Sequence, residues 1–225
     1  MSSAVDQEIS REHLKRVPKQ ERSQQRFETI IAESMRLFAE SGYEAVSMRE
    51  IARECGMPIA TVYQYFPTKQ AIVKEIWLRY SDTVRERLEG ELSEFLRTGD
   101  PARGGDLIDS MVDLLMALQL ASPAYVEIWA CVGATPELRE LNDRDTLRTA
   151  DMVVDAIVGL YPDADRERVG GMALILAETA GSITKLTLSV SEEERERILR
   201  RSKLAMRLLY DSTMAAYAGP RRAPA

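Results

Sequence analysis

An all-α fold of about nine helices is what this sequence predicts. Three observations carry that expectation. Apolar residues recur at three- and four-residue spacing through nearly every segment. Helix-start signals, Ser or Thr followed by Pro or by Glu three residues on, precede several of these segments. No stretch shows the period-two alternation of a half-buried strand, and no internal repeat is visible.

The first helix is expected over about 20–41, with Phe27, Ile30, Ile31, Met35 and Phe38 on one face and Gly42 stopping it. Ser47-Met48-Arg49-Glu50 is a capping box that opens a short second helix ending near Cys55-Gly56. A third helix has Pro58 one or two residues inside its start, where the missing N–H costs nothing, and runs to about Tyr65. Pro67 closes it, and Thr68 caps a long fourth helix reaching about Leu96. After the loop RTGDPARGG, five more helices are expected, over about 106–120, 123–132, 136–160, 165–190 and 192–217. Ser122-Pro123, Thr135-Pro136 and the box Ser191 to Glu194 mark three of their starts. The expected division is a flexible basic arm (1–20), a domain of three short helices (21–67), a larger helical domain (68–217, with 68–96 as connecting helix), and a disordered tail (218–225).

Composition narrows the function. The chain has 225 residues, 45% of them hydrophobic, enough for a sizeable core, and no apolar run approaches the roughly 18 residues a membrane span needs. The N-terminus lacks the apolar stretch of a secretory signal, and the two cysteines, Cys55 and Cys131, suit a reducing cytoplasm. The single histidine, His13, lies in the polar N-terminal segment, and neither cysteine has partners at metal-ligand spacing. The pairs Gly104–Gly105 and Gly170–Gly171 lack the rest of any phosphate-binding pattern. No catalytic residue, cofactor or metal ligand is therefore assigned. Residues 1–70 hold ten basic and ten acidic side chains, so the net charge of −6 belongs to the remainder. Between Arg11 and Arg26, six basic residues (Arg11, Lys15, Arg16, Lys19, Arg22, Arg26) face two acidic ones, the makings of an arm that lies against phosphate.

A short helix, a tight turn containing Gly56, and a second helix of about two turns make a helix-turn-helix, whose second helix enters the major groove. The residues Phe38, Gly42, Ser47, Ile51, Ala52, Gly56, Thr61, Val62, Tyr63, Tyr65, Phe66 and Lys69 resemble the DNA-binding region of the TetR family of bacterial transcription regulators. The string T-V-Y-x-Y-F-x-x-K, at its distance from the F-x-x-x-G-Y preceding it, is the specific part of that likeness. Phe38, Ile51, Ala52, Val62 and Phe66 read as the small core. Tyr63 and Tyr65 are expected to donate to phosphate. Lys69, at the start of the fourth helix, is expected to clamp a phosphate together with that helix's free N–H groups. Arg49 matches a family position that reaches a base or phosphate. Ile59 and Ala60, in the first turn of the third helix, offer only contact with a thymine methyl. The expected DNA-facing set is Arg49, Pro58, Ile59, Ala60, Thr61, Tyr63, Gln64, Tyr65, Thr68 and Lys69.

One recognition helix seldom suffices, so a homodimer on a pseudo-palindromic operator in double-stranded DNA is implied. Small residues at helical spacing, Gly170, Ala173, Ala177 and Gly181 with Ser202, Ala205, Leu209, Ser212 and Ala216, are the expected dimer interface, two helices from each subunit forming a four-helix bundle. Met111, Leu115, Tyr125, Trp129, Met152, Met172, Glu178 and Thr179 are the expected lining of a pocket for a small-molecule effector. Glu178, in an otherwise apolar stretch, must be paired if buried, with Lys185 as one candidate, or else face a polar ligand. The resulting expectation is a cytoplasmic repressor released by its effector, with a redox switch at Cys55 as a variant. A helical ligand-binding or adaptor protein with weak or lost DNA binding is the alternative.

Overall fold

The computed structural model describes residues 20–100 and 103–217, together with Leu14. Arg11, Lys15, Arg16 and Lys19 of the expected arm, and the tail 218–225, lie outside the described residues. Among the described residues the chain forms nine helices and no strand: α1 (Glu21–Ser41), α2 (Met48–Glu54), α3 (Ile59–Tyr65), α4 (Lys69–Thr98), α5 (Arg103–Leu120), α6 (Ala124–Ala134), α7 (Pro136–Leu160), α8 (Arg166–Thr187) and α9 (Glu192–Met214). No single helix among them is long and apolar enough to cross a membrane.

The starts follow the capping chemistry. The Ser47 hydroxyl accepts the Glu50 N–H at 3.2 Å, the Asp165 carboxylate accepts from Glu167 and Arg168, and the Ser191 hydroxyl accepts from Glu194 at 3.3 Å. Pro58 is the residue before α3 rather than its first, with φ −57° and ψ 138°. The last two helices end three residues earlier than apolar periodicity extends them, at Thr187 and Met214.

Packing divides the described residues into two compact units: those up to Asp82 with Ser122–Arg139, and Thr83–Ala121 with those from Glu140 onward. The first unit is thus larger than the helix-turn-helix motif. It takes in the start of α4, where Ala71, Ile72, Val73, Ile76, Trp77 and Tyr80 are buried, and the whole of α6. Phe27 stacks on Phe66 with ring centroids 4.9 Å apart and meets Tyr65 edge-on at 5.9 Å, tying α1 to the end of α3. Arg79 of α4 grips Glu28 of α1 with two nitrogens, at 2.6 and 2.8 Å, and reaches the buried Glu75 at 3.0 Å. That grip holds the Glu28 carboxyl below its usual range. Tyr80 lies against Tyr125 and Trp129 of α6, centroids 5.5 and 5.4 Å away.

In the second unit, Leu88, Leu92 and Ala156 form a buried cluster onto which Leu107, Met111, Met152 and Val153 pack. Gln119 of α5 donates to the Thr184 hydroxyl of α8 at 3.2 Å, both residues buried. Arg207 of α9 holds Asp109 of α5 with two nitrogens, at 2.9 and 2.7 Å. Gly104 has a packing reason: a Cβ there would stand 2.0 Å from the Tyr210 ring, so at this point the close approach of α5 to α9 needs a residue without a side chain.

Candidate nucleic-acid interface

The turn between α2 and α3 is built on Gly56, whose φ of +62° an L side chain adopts only with strain. The Met57 N–H closes the turn on the Ala52 carbonyl at 3.0 Å. α3 then divides into two faces. Val62, Tyr65 and Phe66 are buried, while Ile59, Ala60, Tyr63 and Gln64 are exposed, with Pro58 exposed before them and Thr61 half-buried. Tyr63 is 41% and Ile59 37% exposed, large apolar surface that a seven-residue helix presents to solvent.

Two expected phosphate contacts are corrected. Tyr65 does not face outward: it is 3% exposed, and its hydroxyl is 2.8 Å from Ser23 Oγ, a buried residue of α1. Its spacing from Val62 places it on the inner face, and the Ser23 hydroxyl satisfies the phenol there. A Tyr65→Phe protein is expected to lose about 1–3 kcal/mol of stability in urea titration, because Ser23 is left buried without its partner, while DNA affinity stays within about twofold. Lys69 does not present its ammonium to a phosphate either. Its Nζ donates to the carbonyls of Tyr43, Val46 (2.7 Å) and Glu44 (3.4 Å), and it sits 4.1 Å from the centre of the Tyr43 ring. Three donors meet three acceptors, so the cation is spent on the loop between α1 and α2. Thr68 is exposed, and its hydroxyl accepts the Ala71 N–H at 3.1 Å as the cap of α4.

The free cations lie elsewhere. Arg36, Arg53 and Arg79 of the first unit are ion-paired, whereas Arg22, Arg26 and Arg49 carry no ion pair among the described residues. Arg22 and Arg26 belong to the exposed side of α1 and not to a separate arm, and with Gln25 and Thr29 they line one shallow open depression. The Ser23–Tyr65 bond places this turn of α1 beside the last turn of α3. An exposed recognition face, with guanidinium groups nearby that no carboxylate neutralises among the described residues, fits a polyanion. Charge counts along the sequence include Arg22 and Arg26 but cannot separate them from paired neighbours.

Cys55 donates to the Thr29 carbonyl at 3.9 Å, and burial, aided by Glu33 and Glu54, pushes its thiol up to about 11. A thiol held that high carries little thiolate at neutral pH, which leaves little nucleophile for a redox switch.

The residues expected to line a pocket fall in both units. Tyr125 and Trp129 are half-buried in the first, Leu115 and Met172 are buried in the second, and Met111, Met152 and Thr179 are half-buried there. Glu178 is corrected: it is exposed and accepts from the Ser182 hydroxyl at 2.8 Å, so solvent and one local hydrogen bond satisfy it. The small-residue stripe shifts as well. Ala173 is 2% exposed within its own unit, and Gly170 faces Val154, while Ala177, Gly181, Ser202 and Leu209 are half-buried and Ala205, Ser212 and Ala216 exposed. The apolar surface left open is Leu174, Ile175 and Leu186 on α8 and Leu204 and Leu208 on α9, 38–60% exposed.

This fold and this face define a helix-turn-helix transcriptional regulator. Residues 30–76 match the model of bacterial regulatory proteins of the tetR family, and residues 103–209 match a tetracyclin repressor-like C-terminal domain. The chain belongs to the TetR family. Over 59 residues it is 37% identical to the HTH-type regulator YuxN of Bacillus subtilis, covering 26% of this chain and 20% of that protein. Over 89 residues it is 25% identical to the HTH-type transcriptional regulator UidR of Escherichia coli K12, covering 40% of each. The matches thus span between a fifth and two fifths of these relatives. In structure the chain is similar to a TetR-family regulator of Streptomyces coelicolor (TM-score 0.60, 20% identity, covering 84% of this chain and 99% of that one). A transcriptional regulator of Cytophaga hutchinsonii is also similar (TM-score 0.62, 17% identity, covering 83% and 97%).

Proposed function

We propose that the protein is a homodimeric repressor that binds a pseudo-palindromic operator and is released by a small-molecule effector. The observation that carries DNA binding is the exposed face of α3, together with the exposed Arg22, Arg26 and Arg49, which carry no ion pair among the described residues. Dimerisation is supported by the leucines exposed on α8 and α9, side chains a soluble monomer seldom leaves open together. Two recognition helices would then lie in successive major grooves about 34 Å apart. Effector control is supported by α4, one helix with residues in both units. An effector acts by binding the two arrangements with different affinity. A DNA partner supports a cytoplasmic location.

Selection of duplexes from a randomised pool by the full chain, followed by mobility shift at several salt concentrations, tests the reading. A selected site with two related half-sites is the expected result. Arg49→Ala and Tyr63→Ala are each expected to weaken its binding by about 5- to 150-fold (about 1–3 kcal/mol), with folding unchanged. Ile59, apolar and exposed where a polar base reader would serve, favours an adaptor with lost DNA binding as the second reading. Selection that yields no sequence, with only salt-sensitive non-specific binding, would favour that one.

A further inference from the structure

α6 contains one charged residue, Glu127, in an otherwise apolar or small-residue helix, AYVEIWACVGA. Its neighbours Ala124 and Ile128 are buried, and Glu127 itself is half-buried. Such a group calls for a partner, and among the described residues it makes no ion pair. Its partner is a peptide: Glu127 Oε2 accepts the Tyr43 N–H at 2.9 Å, above Gly42, where a Cβ would stand 3.6 Å from the same oxygen. The rest of Tyr43 is held as firmly. Its ring lies edge-on to Phe38, with centroids 5.4 Å apart, and under the Lys69 ammonium. Its carbonyl receives the Lys69 N–H. Burial and the neighbouring Cys131 thiol of α6 keep its phenol protonated.

These restraints converge on the six residues, 42–47, that join α1 to α2. Gly42 ends α1 with φ +80°, Val46 is buried, and Ser47 caps α2 at once. The direction in which α2 leaves α1, and with it the aim of α3, is set in this segment. It is gripped from two sides, by Lys69 on its carbonyls and by Glu127 on the Tyr43 N–H.

We propose that Glu127 is a positioning residue for DNA binding: from α6 its carboxylate fixes the 42–46 segment, and so orients the recognition helix without touching DNA. This rests on the DNA-binding reading above. Charge-assisted bonds to backbone N–H groups are among the stronger ones, so losing this bond is expected to be felt at the operator.

The test uses the full chain and the duplex that the wild-type protein selects. Glu127→Ala is expected to weaken binding by about tenfold or more, and Glu127→Gln, which keeps an accepting oxygen, to restore it to within about threefold. The Tyr43 amide, followed by hydrogen exchange, is expected to be protected in the wild-type and Gln proteins and fast in the Ala protein. Unchanged affinity in a folded Ala protein overturns the proposal. So does fast exchange at Tyr43 in the wild-type protein, a readout independent of whether the Ala protein folds. A wild-type chain that selects no duplex refutes DNA binding instead, which separates the two failures.

Discussion

If the chain forms the dimer proposed above, a Leu208→Glu protein is expected to sediment as a monomer where the wild-type chain sediments as a dimer, and to lose its operator shift. Leu208 is 60% exposed and Leu204 59%, the most open large apolar side chains in the described chain, and both lie on α9. In an assembly they are the natural centre of the contact. A carboxylate there, desolvated and unpaired, would raise the dimer dissociation constant by roughly 30- to 900-fold (about 2–4 kcal/mol). DNA affinity falls with it, since a monomer engages only one half-site. Leu147, 52% exposed on α7, is the control: Leu147→Glu is expected to leave both dimer and operator binding intact. If Leu208→Glu remains a dimer, the α8–α9 face is not the interface.

Phe66→Ala is expected to cost about 3–5 kcal/mol and to unfold the first unit before the second. The ring has no exposed surface and stacks on Phe27, so its loss leaves a cavity between α1 and the end of α3. The measurement is unusually clean here. Both tryptophans, Trp77 and Trp129, fall in the first unit, so their emission follows that unit while far-ultraviolet dichroism follows all nine described helices. Separation of the two transitions in urea is the expected result. Coincident transitions shifted by less than about 1 kcal/mol would show that the ring carries no such weight. Tyr63→Ala, by contrast, removes an exposed ring and is expected to change stability by no more than about 0.5 kcal/mol.

Much of this was legible in the sequence, for local reasons. Helices, caps and the turn at Gly56 depend on neighbours within four residues, so their signals survive in one dimension. The recognition face was partly legible. Val62, three positions before Tyr65 and four before Phe66, marks the inner side and leaves Tyr63 outside, and that spacing carries more weight than the shared phenol that suggested one role for both tyrosines. Lys69 and Glu127 were opaque because their partners lie 23 to 26 and 84 residues away in the chain. A lysine at a helix start looks the same whether it meets a phosphate or three carbonyls. Glu178 misleads for another reason. Its helix is apolar on two sides, one packed within its own unit and one left open, and hydrophobic content alone reads both as interior.

The seal that Lys69 makes bears on whether the DNA reader is a portable cassette. A fragment ending at Pro67 would contain every residue of the motif and would still be incomplete. It would strand the carbonyls of Tyr43 and Val46 without their ammonium, and the Tyr43 N–H without its carboxylate. Grafted onto another protein, such a piece would have no reason to hold its two short helices at their native angle. The heritable unit of DNA reading in this chain is therefore discontinuous: it reaches into α4 and borrows α6 from well downstream.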